Sequence, residues 1–241
     1  MKKTFLFLAL ASIAITSCRK EDEGEVIPEV SIETQNSYDD QAATKFLETH
    51  YFDSKGNIKQ LDAADVTNVK LSALNPVKLP SGVIYVMRAN AQPNPGNAIG
   101  NTDIIRLMSY TNTYIAKEID SKVSFTSPFL FSNNLAGLGV PDKDPIFYYV
   151  NNAKLNSGTS EVEKKRNYYE IEGFKEALQK FKAYDIPNES DYNLQGVIIV
   201  PSRAAFARDP HFNYSNVSLA NRSFVFNFQI YKAETRPTSQ E

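Results

Sequence analysis

The sequence predicts an α+β domain in which a curved antiparallel β-sheet wraps around one short α-helix. The first observation is the last strand, where apolar side chains at every second position define one face: Phe224, Phe226, Phe228 and Ile230. The second is a stripe at i, i+3, i+4 and i+7 spacing, typical of a helix that buries one face: Phe174, Ala177, Leu178 and Phe181. The third is the strand between them, the β-branched run Val197-Ile198-Ile199-Val200.

The N-terminus has the layout of a bacterial secretory signal, which we place at residues 1–17. Lys2 and Lys3 form a basic start, and the apolar run from Thr4 to Ile15 is shorter than the about 20 residues that span a bilayer. Cys18 is the only cysteine, so no internal disulfide is possible. Its position after a small residue resembles a lipobox, which implies lipidation of Cys18. The alternative is an ordinary signal followed by a chance cysteine.

Residues 18–36 are predicted to be a polar tether, because a dense run of charges follows the cysteine. This run also resembles the Lys-plus-acidic tag of some surface-exported Bacteroidetes lipoproteins. Residues 37–75, which we call the preface, are predicted to be a helical segment ahead of the main domain. Asp39 or Asp40 can cap a helix over 37–52, whose apolar face would consist of Ala43, Phe46, Leu47 and Tyr51.

The main domain is predicted over 79–232, with a flexible tail over 233–241. Strand-forming residues cover 82–87 and 103–111, and the loop between them is dense in turn formers. The domain boundaries follow from these runs and from the elements of the last third of the chain.

A long insertion is predicted at about 132–168. Within it, 147–150 is a candidate extra strand, and 161–166 is a run of charges typical of a solvated surface. Ordered insertions of this length in a compact domain are typically functional or flexible. We expect this one to shape partner choice at the neighbouring site or to obstruct access to it.

Composition and motifs exclude several chemistries. The net charge of −2 gives no reason to expect nucleic-acid binding, which requires a basic face. His50 and His211 lack the spaced partners of a zinc site. Gly137-Leu138-Gly139 precedes no phosphate-binding helix, and Ser202 lies in no nucleophile elbow. We therefore predict no metal, no cofactor and no catalytic acid, base or nucleophile.

Several segments together resemble the FKBP-type peptidyl-prolyl cis-trans isomerases. In the last third, Phe174 begins a short helix, and a strand then ends in the Pro-Ser-x-x-Ala-aromatic turn of 201–206. A closing strand follows at 224–228. Earlier, 103–111 is similar to the first long strand of the family, with Asn112 in place of the usual glycine. The resemblance implies an FKBP-like fold, isomerase activity and X-Pro segments of exported proteins as substrates.

The resemblance also implies a proline-sized bowl, lined by six residues that we call the bowl residues: Tyr110, Phe125, Ile171, Phe174, Phe206 and Phe226. Tyr110 would form the wall, Phe174 the floor, and the Ile171 N–H would donate to a bound carbonyl. A dry hollow favours the twisted amide over the planar ground state, whose resonance makes the rotation barrier about 18–20 kcal/mol. Each bowl residue has an alternative role as an ordinary core or strand residue.

Besides Asn112, four positions depart from the family pattern. Thr126 stands in place of an acid, Phe206 in place of a tyrosine, Ala207 in place of a glycine and Phe174 in place of tryptophan. A lost rim hydrogen bond is worth about 0.5–1.5 kcal/mol. Losing two would slow catalysis by about one to three powers of ten, at about 1.36 kcal/mol per decade.

We therefore expect an isomerase-like lipoprotein that assists the folding of exported proteins. The acyl chains would attach it to the cell envelope, at the outer membrane, on the periplasmic or surface face. The first alternative is a non-catalytic FKBP-like lipoprotein that binds proline peptides or assists assembly. A purely structural envelope protein without a pocket is the third class.

Overall fold

The computed structural model of this chain describes residues 29–136 and 139–241. Ser31–Glu241 forms one compact unit, and the fold described below is the fold of that unit. The predicted signal, Cys18 and the charged run after it lie outside the described residues. The preface belongs to the same compact unit as the predicted main domain.

The described residues of this unit form three α-helices, eleven strands and short 3-10 turns. The helices are α1 (Ile32–Thr49), α2 (Asn152–Asn156) and α3 (Glu172–Leu178). The first five strands are β1 (His50–Phe52), β2 (Ile58–Gln60), β3 (Val77–Lys78), β4 (Ile84–Met87) and β5 (Asn97–Ala98). The remaining strands are β6 (Ile104–Ile119), β7 (Lys122–Asn133), β8 (Asp142–Lys143), β9 (Lys182–Ala183), β10 (Gly196–Val200) and β11 (Arg222–Glu234).

The main sheet is antiparallel throughout, in the order β3-β4-β10-β11-β6-β7, and β8 adds to one end of β6. Two small ribbons, β1–β2 and β5–β9, lie outside it. The predicted fold class, an α+β unit with an antiparallel sheet on a short helix, is confirmed. The alternation predicted for the last strand holds along β11.

Both faces of the main sheet are covered. We call the face that carries Phe224, Phe226 and Phe228 the inner face, and the face that carries Val225 and Asn227 the outer face. On the inner face, α3 and part of the insertion complete one apolar cluster. On the outer face, α1 completes a second cluster. Ten consecutive residues of β11, 222–231, are consequently buried.

The short helix on the inner face follows the predicted stripe. Phe174, Ala177, Leu178 and Phe181 are all buried in the inner cluster. The helix ends at Leu178, earlier than a stripe ending at Phe181 suggests, and the chain turns there into β9. Gly173 allows close packing, since a Cβ there would lie 2.7 Å from the Val200 side chain and 2.8 Å from the Ala204 carbonyl oxygen.

Helix α1 begins at Ile32, inside the predicted tether, so that part of the tether prediction is wrong. The cap is Ser31, whose side chain accepts a hydrogen bond from Thr34 N at 3.1 Å. The predicted cap Asp39 instead lies within the helix and is fully buried. The helix ends at Thr49, and the residues predicted as its last turn form β1.

Asp39 joins the preface to the sheet. Its carboxylate accepts hydrogen bonds from Ser202 N at 2.8 Å, Ser202 Oγ at 2.6 Å and Gln35 Nε2 at 3.0 Å. Burial raises the pKa of this carboxyl, while the three donors act in the opposite direction. The preface helix is therefore fixed to the Pro-Ser turn that follows β10.

The tail prediction over 233–241 is wrong in its first part. Strand β11 continues to Glu234, and Arg236 is buried. The Arg236 guanidinium donates to Asp144 Oδ2 at 2.8 Å and to the Thr102 carbonyl at 2.8 Å. These bonds fix the C-terminal segment against the insertion, although Thr235 and residues 237–241 are exposed.

The insertion contains no strand over 147–150, which contradicts the prediction for that segment. Phe147 and Tyr148 lie in a turn, and Tyr149 and Val150 have no regular secondary structure; all four are buried. The two-residue β8 is the short strand within the insertion. The aromatic and β-branched composition of 147–150 reflects burial rather than pairing with a neighbouring strand.

Candidate functional site

Four of the bowl residues meet on the inner face. Ile171, Phe174, Phe206 and Phe226 belong to one apolar cluster, and each is at most 2% exposed. The Phe174 and Phe226 rings stack, with centroids 4.2 Å apart. The predicted floor and the closing strand are thus in contact, as the resemblance implies.

The space beside these residues is filled by Phe147 of the insertion. Its ring centroid lies 5.8 Å from that of Phe174 and 5.8 Å from that of Phe226. The Phe131 ring lies 5.4 Å away on another side. The Phe147 carbonyl accepts a hydrogen bond from Ile171 N at 2.8 Å. The N–H predicted to bind a ligand carbonyl is therefore already used within the chain.

Polar contacts hold this segment in place. Val150 N donates to the Glu170 carboxylate at 2.9 Å, and Lys175 Nζ lies 2.7 Å from the other oxygen of the same carboxylate. The Tyr148 hydroxyl donates to the Gly100 carbonyl at 2.6 Å, and burial raises the pKa of that hydroxyl. Together with the Arg236–Asp144 ion pair, these contacts close the inner face.

The other two bowl residues, Tyr110 and Phe125, lie on the outer face. In the register of β6 with β11, Phe226 pairs with Thr111, and Tyr110 pairs with Asn227. Since neighbouring residues of a strand point to opposite faces, Tyr110 and Phe226 are separated by the sheet. Phe125 is packed with the outer cluster. The prediction that all six bowl residues line one open hollow is therefore wrong.

The two substitutions at the predicted rim have local explanations. Thr126 Oγ1 donates to the Ile115 carbonyl at 2.8 Å, across the β6–β7 pair. Phe206 packs against His211, with ring centroids 5.0 Å apart, and is 2% exposed. The His211 ring accepts a hydrogen bond from Leu219 N at 3.0 Å, which indicates a structural role.

An open groove lies on the outer face, between the preface and the strands β6 and β7. We call it the outer groove. It consists of three hollows of about 420, 190 and 330 Å³. Its aromatic lining is Phe46, His50, Tyr110, Tyr114 and Phe125. It thus contains the two bowl residues that the inner cluster lacks.

The rings of the outer groove are packed against one another. Tyr114 and Phe125 stack with centroids 5.2 Å apart, and the Phe46 ring lies 6.1 Å from Tyr114 and 6.0 Å from Phe125. His50 stacks on Phe46 at 3.8 Å, and burial lowers the pKa of the imidazole, which favours its neutral form. Burial also raises the pKa of the Tyr114 hydroxyl. The groove wall is therefore aromatic and electrically neutral near its centre.

The sequence prediction missed several residues of the inner cluster and of the outer groove. Phe147 and Phe131 were not assigned to the inner cluster, because nothing periodic marks the segments that carry them. Tyr114 falls at the same face as Tyr110, four residues along β6, and that spacing is a signal that could have identified it. Phe46 was predicted only as part of the apolar face of the preface helix.

Another hollow, of about 690 Å³, lies beside α3 and is lined mostly by polar residues. Several of its charged groups already have partners. Lys175 pairs with Glu170 at 2.7 Å, Ser81 Oγ donates to Glu176 at 2.5 Å, and Arg203 pairs with an aspartate of α1 at 2.6 Å. These contacts connect α3 to Glu170 and Ser81, and the turn that carries Arg203 to α1.

Two further structural findings concern ligands and membranes. Within 29–136 and 139–241, no group of three or more His, Cys, Asp or Glu side chains is placed to hold a metal ion. In the same residues, no helix has the length and hydropathy needed to cross a bilayer.

Comparison with known proteins gives distant structural similarities. No protein-family model and no curated protein matches this chain. Its structure is similar to FkpA from Escherichia coli, with 16% sequence identity and a TM-score of 0.35, over 67% of this chain and 53% of that one. It is also similar to a peptidyl-prolyl cis-trans isomerase from Pseudomonas syringae pv. tomato, with 12% identity and a TM-score of 0.33, over 86% and 99% of the two chains. The chain spans about half the length of FkpA.

Proposed function

We propose that this chain is an FKBP-like lipoprotein of the cell envelope that binds proline-containing segments of exported proteins without isomerising them. Lipidation of Cys18 would attach it to the outer membrane, on the periplasmic or surface face. This function corresponds to the non-catalytic alternative from the sequence.

One observation carries the proposal, the hydrogen bond from Ile171 N to the Phe147 carbonyl. Acceleration of X-Pro rotation by this kind of site requires a dry hollow that fits the twisted amide better than the planar one. Here Phe147 fills the space between the floor residue and the closing strand. A substrate proline would have to displace a buried phenylalanine and a hydrogen bond before it reached the floor.

A second function, an isomerase that becomes active when the segment around Phe147 leaves, is favoured by the same geometry. The segment provides a carbonyl to the Ile171 N–H and an apolar ring to the Phe174 floor, as a bound ligand would. Its departure would restore a hollow lined by the four inner bowl residues. The ion pairs at Arg236 and Glu170 oppose that departure.

A protease-coupled X-Pro assay distinguishes the two functions. We expect the wild-type chain to give no rate above the unassisted reaction, which takes tens to hundreds of seconds. The variants Phe206→Tyr and Thr126→Asp would also give none while Phe147 stays in place. Combining Phe206→Tyr with Phe147→Gly would remove the ring that fills the inner cluster and add a hydroxyl at position 206, and a rate above background in this variant would favour the second function. Phe212→Ala, which removes a ring outside the bowl, is the matched control.

Binding must be measured on the same samples. The proposal expects a labelled X-Pro peptide to bind the wild-type chain although no rate is detected. Wild-type acceleration above background would reject it in favour of the isomerase. No binding to any proline peptide, with no rate in any variant, would favour a purely structural protein.

A further inference from the structure

We infer that the outer groove is a binding site for an extended, acidic peptide segment that contains proline. The inference builds on the proposed function, because it names the site and the chemistry of the segments bound. It places the binding surface on the face of the sheet opposite the inner bowl residues.

The outer groove is open where the inner cluster is closed. Tyr110 is 39% exposed, and the neighbouring Leu130, which pairs with Asn112 on the same face, is 47% exposed. The Tyr110 ring lines two of the three hollows, and Leu130 pairs with Asn112, which lines one of them, so exposed apolar surface adjoins the groove. Phe174 and Phe226, by contrast, are fully buried.

The shape of the groove fits an extended chain. The three hollows are joined in series, since the first two share Phe46, His50 and Tyr114, and the last two share Ile58 and Tyr110. Tyr110 and Tyr114 lie four residues apart on β6, which corresponds to about 13 Å along a strand. A polyproline II segment rises about 3.1 Å per residue, so about four residues would span the two tyrosines.

The aromatic lining of the groove is the reason for inferring that the bound segment contains proline. Proline-rich segments dock in grooves lined by aromatic residues, because the polyproline II conformation is already ordered and its carbonyls remain free. Tyrosine offers both a flat apolar surface for a pyrrolidine ring and a hydroxyl for a carbonyl. The stacked pair of Tyr114 and Phe125 forms one such wall, and the exposed Tyr110 forms another.

The charges around the groove favour an acidic segment. Lys45 lines the hollow at one end of the series, and Lys59 lines the hollow at the other end. Among the described residues, no aspartate or glutamate lines any of the three hollows. Lys45 has a single loose ion pair with Glu48, at 3.9 Å, and its side chain is 58% exposed. Carboxylates on either side of a central proline would meet these two ammonium groups.

The test is a binding titration with the full chain in non-ionic detergent. The probe is a fluorescein-labelled peptide with a Pro-Pro-Tyr centre and two glutamates on each side. Comparison peptides replace the prolines by alanine or the glutamates by lysine. The variants are Tyr110→Ala and the double change Lys45→Glu, Lys59→Glu. Matched controls are Tyr192→Ala and the double change Lys164→Glu, Lys165→Glu.

We expect Tyr110→Ala to weaken binding about tenfold, as the loss of an exposed aromatic anchor does. The double lysine variant should weaken binding of the acidic peptide by a similar factor and strengthen binding of the lysine-flanked peptide. Each of these effects should be at least threefold larger than in the matched control. Circular dichroism should show that all variants are folded.

The outcomes separate this inference from the proposed function. Proline-dependent binding that Tyr110→Ala leaves unchanged, but that Phe147→Gly alters, would reject the outer groove and keep the proposed function. A different result is that the acidic peptide and its alanine-for-proline version bind equally well and that Tyr110→Ala weakens both. That result would keep the groove as an acidic-peptide site and reject proline recognition. No binding of any peptide would reject the groove, and the isomerase assay would then decide the function separately.

Discussion

Replacing Phe147 by alanine tests whether the insertion is an integral part of the core. The Phe147 side chain is 6% exposed, and its ring lies within 5.8 Å of three other rings, those of Phe131, Phe174 and Phe226. Alanine would leave a cavity between large side chains that belong to three different elements. Such neighbours cannot close together without moving the sheet or α3.

The expected loss in the free energy of unfolding follows from burial. Phe→Ala changes in a core cost about 3–5 kcal/mol, and the cost is higher where the surroundings cannot collapse. Edge-to-face ring pairs add about 0.5–1.5 kcal/mol beyond burial. With a urea dependence of about 2–3 kcal/mol per molar, the unfolding midpoint should fall by about 1–2.5 M.

Urea unfolding followed by circular dichroism is the suitable assay, because the chain has no tryptophan. Phe147→Leu, which keeps most of the apolar volume, should cost less than half as much as Phe147→Ala. Phe212→Ala should also cost less. A loss below about 1 kcal/mol for Phe147→Ala would show that the ring is not packed in the core, and the argument for a closed inner face would fail.

Three further predictions concern the polar contacts that join the elements. Burial raises the pKa of Asp39, so its contribution to stability is complete below about pH 4, the unfolded value, and decreases as the pH rises through the folded value. Asp39→Asn should therefore gain stability relative to wild type between about pH 4 and pH 7 in urea titrations, whereas parallel profiles would contradict the shift. Arg236→Ala should lower the free energy of unfolding by about 3 kcal/mol in the same assay, because it leaves Asp144 unpaired in a partly buried site. The double variant Arg236→Ala, Asp144→Ala should lose less than the sum of the losses of the two single variants. Ser31→Ala should lower stability by about 0.5–2 kcal/mol through loss of the helix cap, and no change in the melting temperature would place the start of the helix elsewhere.

The periodic elements could be predicted from the sequence, and the faces of β6 could not. Helix α3 and strand β11 each have one apolar series, so their buried sides are unambiguous. Along β6, the inner series includes Ser109, Thr111 and Thr113, whereas the outer series includes Tyr110 and Tyr114. Both series mix apolar and polar residues, since the inner one also contains Leu107 and the outer one also contains Asn112. Tyr110 was assigned to the hollow because its segment resembles a family strand, and only the register of β6 with β11 shows that it lies on the outer face.

The position of Phe147 could not be predicted for a different reason. It lies in a segment without helical or strand periodicity, and its partners on α3 and β11 are distant in sequence. Only the composition of 147–150, four apolar or aromatic residues in succession, indicated burial. Composition of this kind predicts that a segment is covered but not which surface it covers, so the strand prediction failed while the burial was real.

The preface covers the outer face of the sheet and completes the outer groove. In the absence of α1 and the β1–β2 ribbon, the outer face of β6 and β11 would be exposed, and Phe46 and His50 would no longer complete the groove. Asn227 holds the ribbon by donating to the Gly56 carbonyl at 3.0 Å and accepting from Ile58 N at 3.1 Å. The same side chain also donates to the Gly196 carbonyl of β10 at 3.0 Å, and the preface supplies its other two partners. Stability of the sheet and formation of the groove consequently depend on the same segment, and a truncation at residue 75 should remove both.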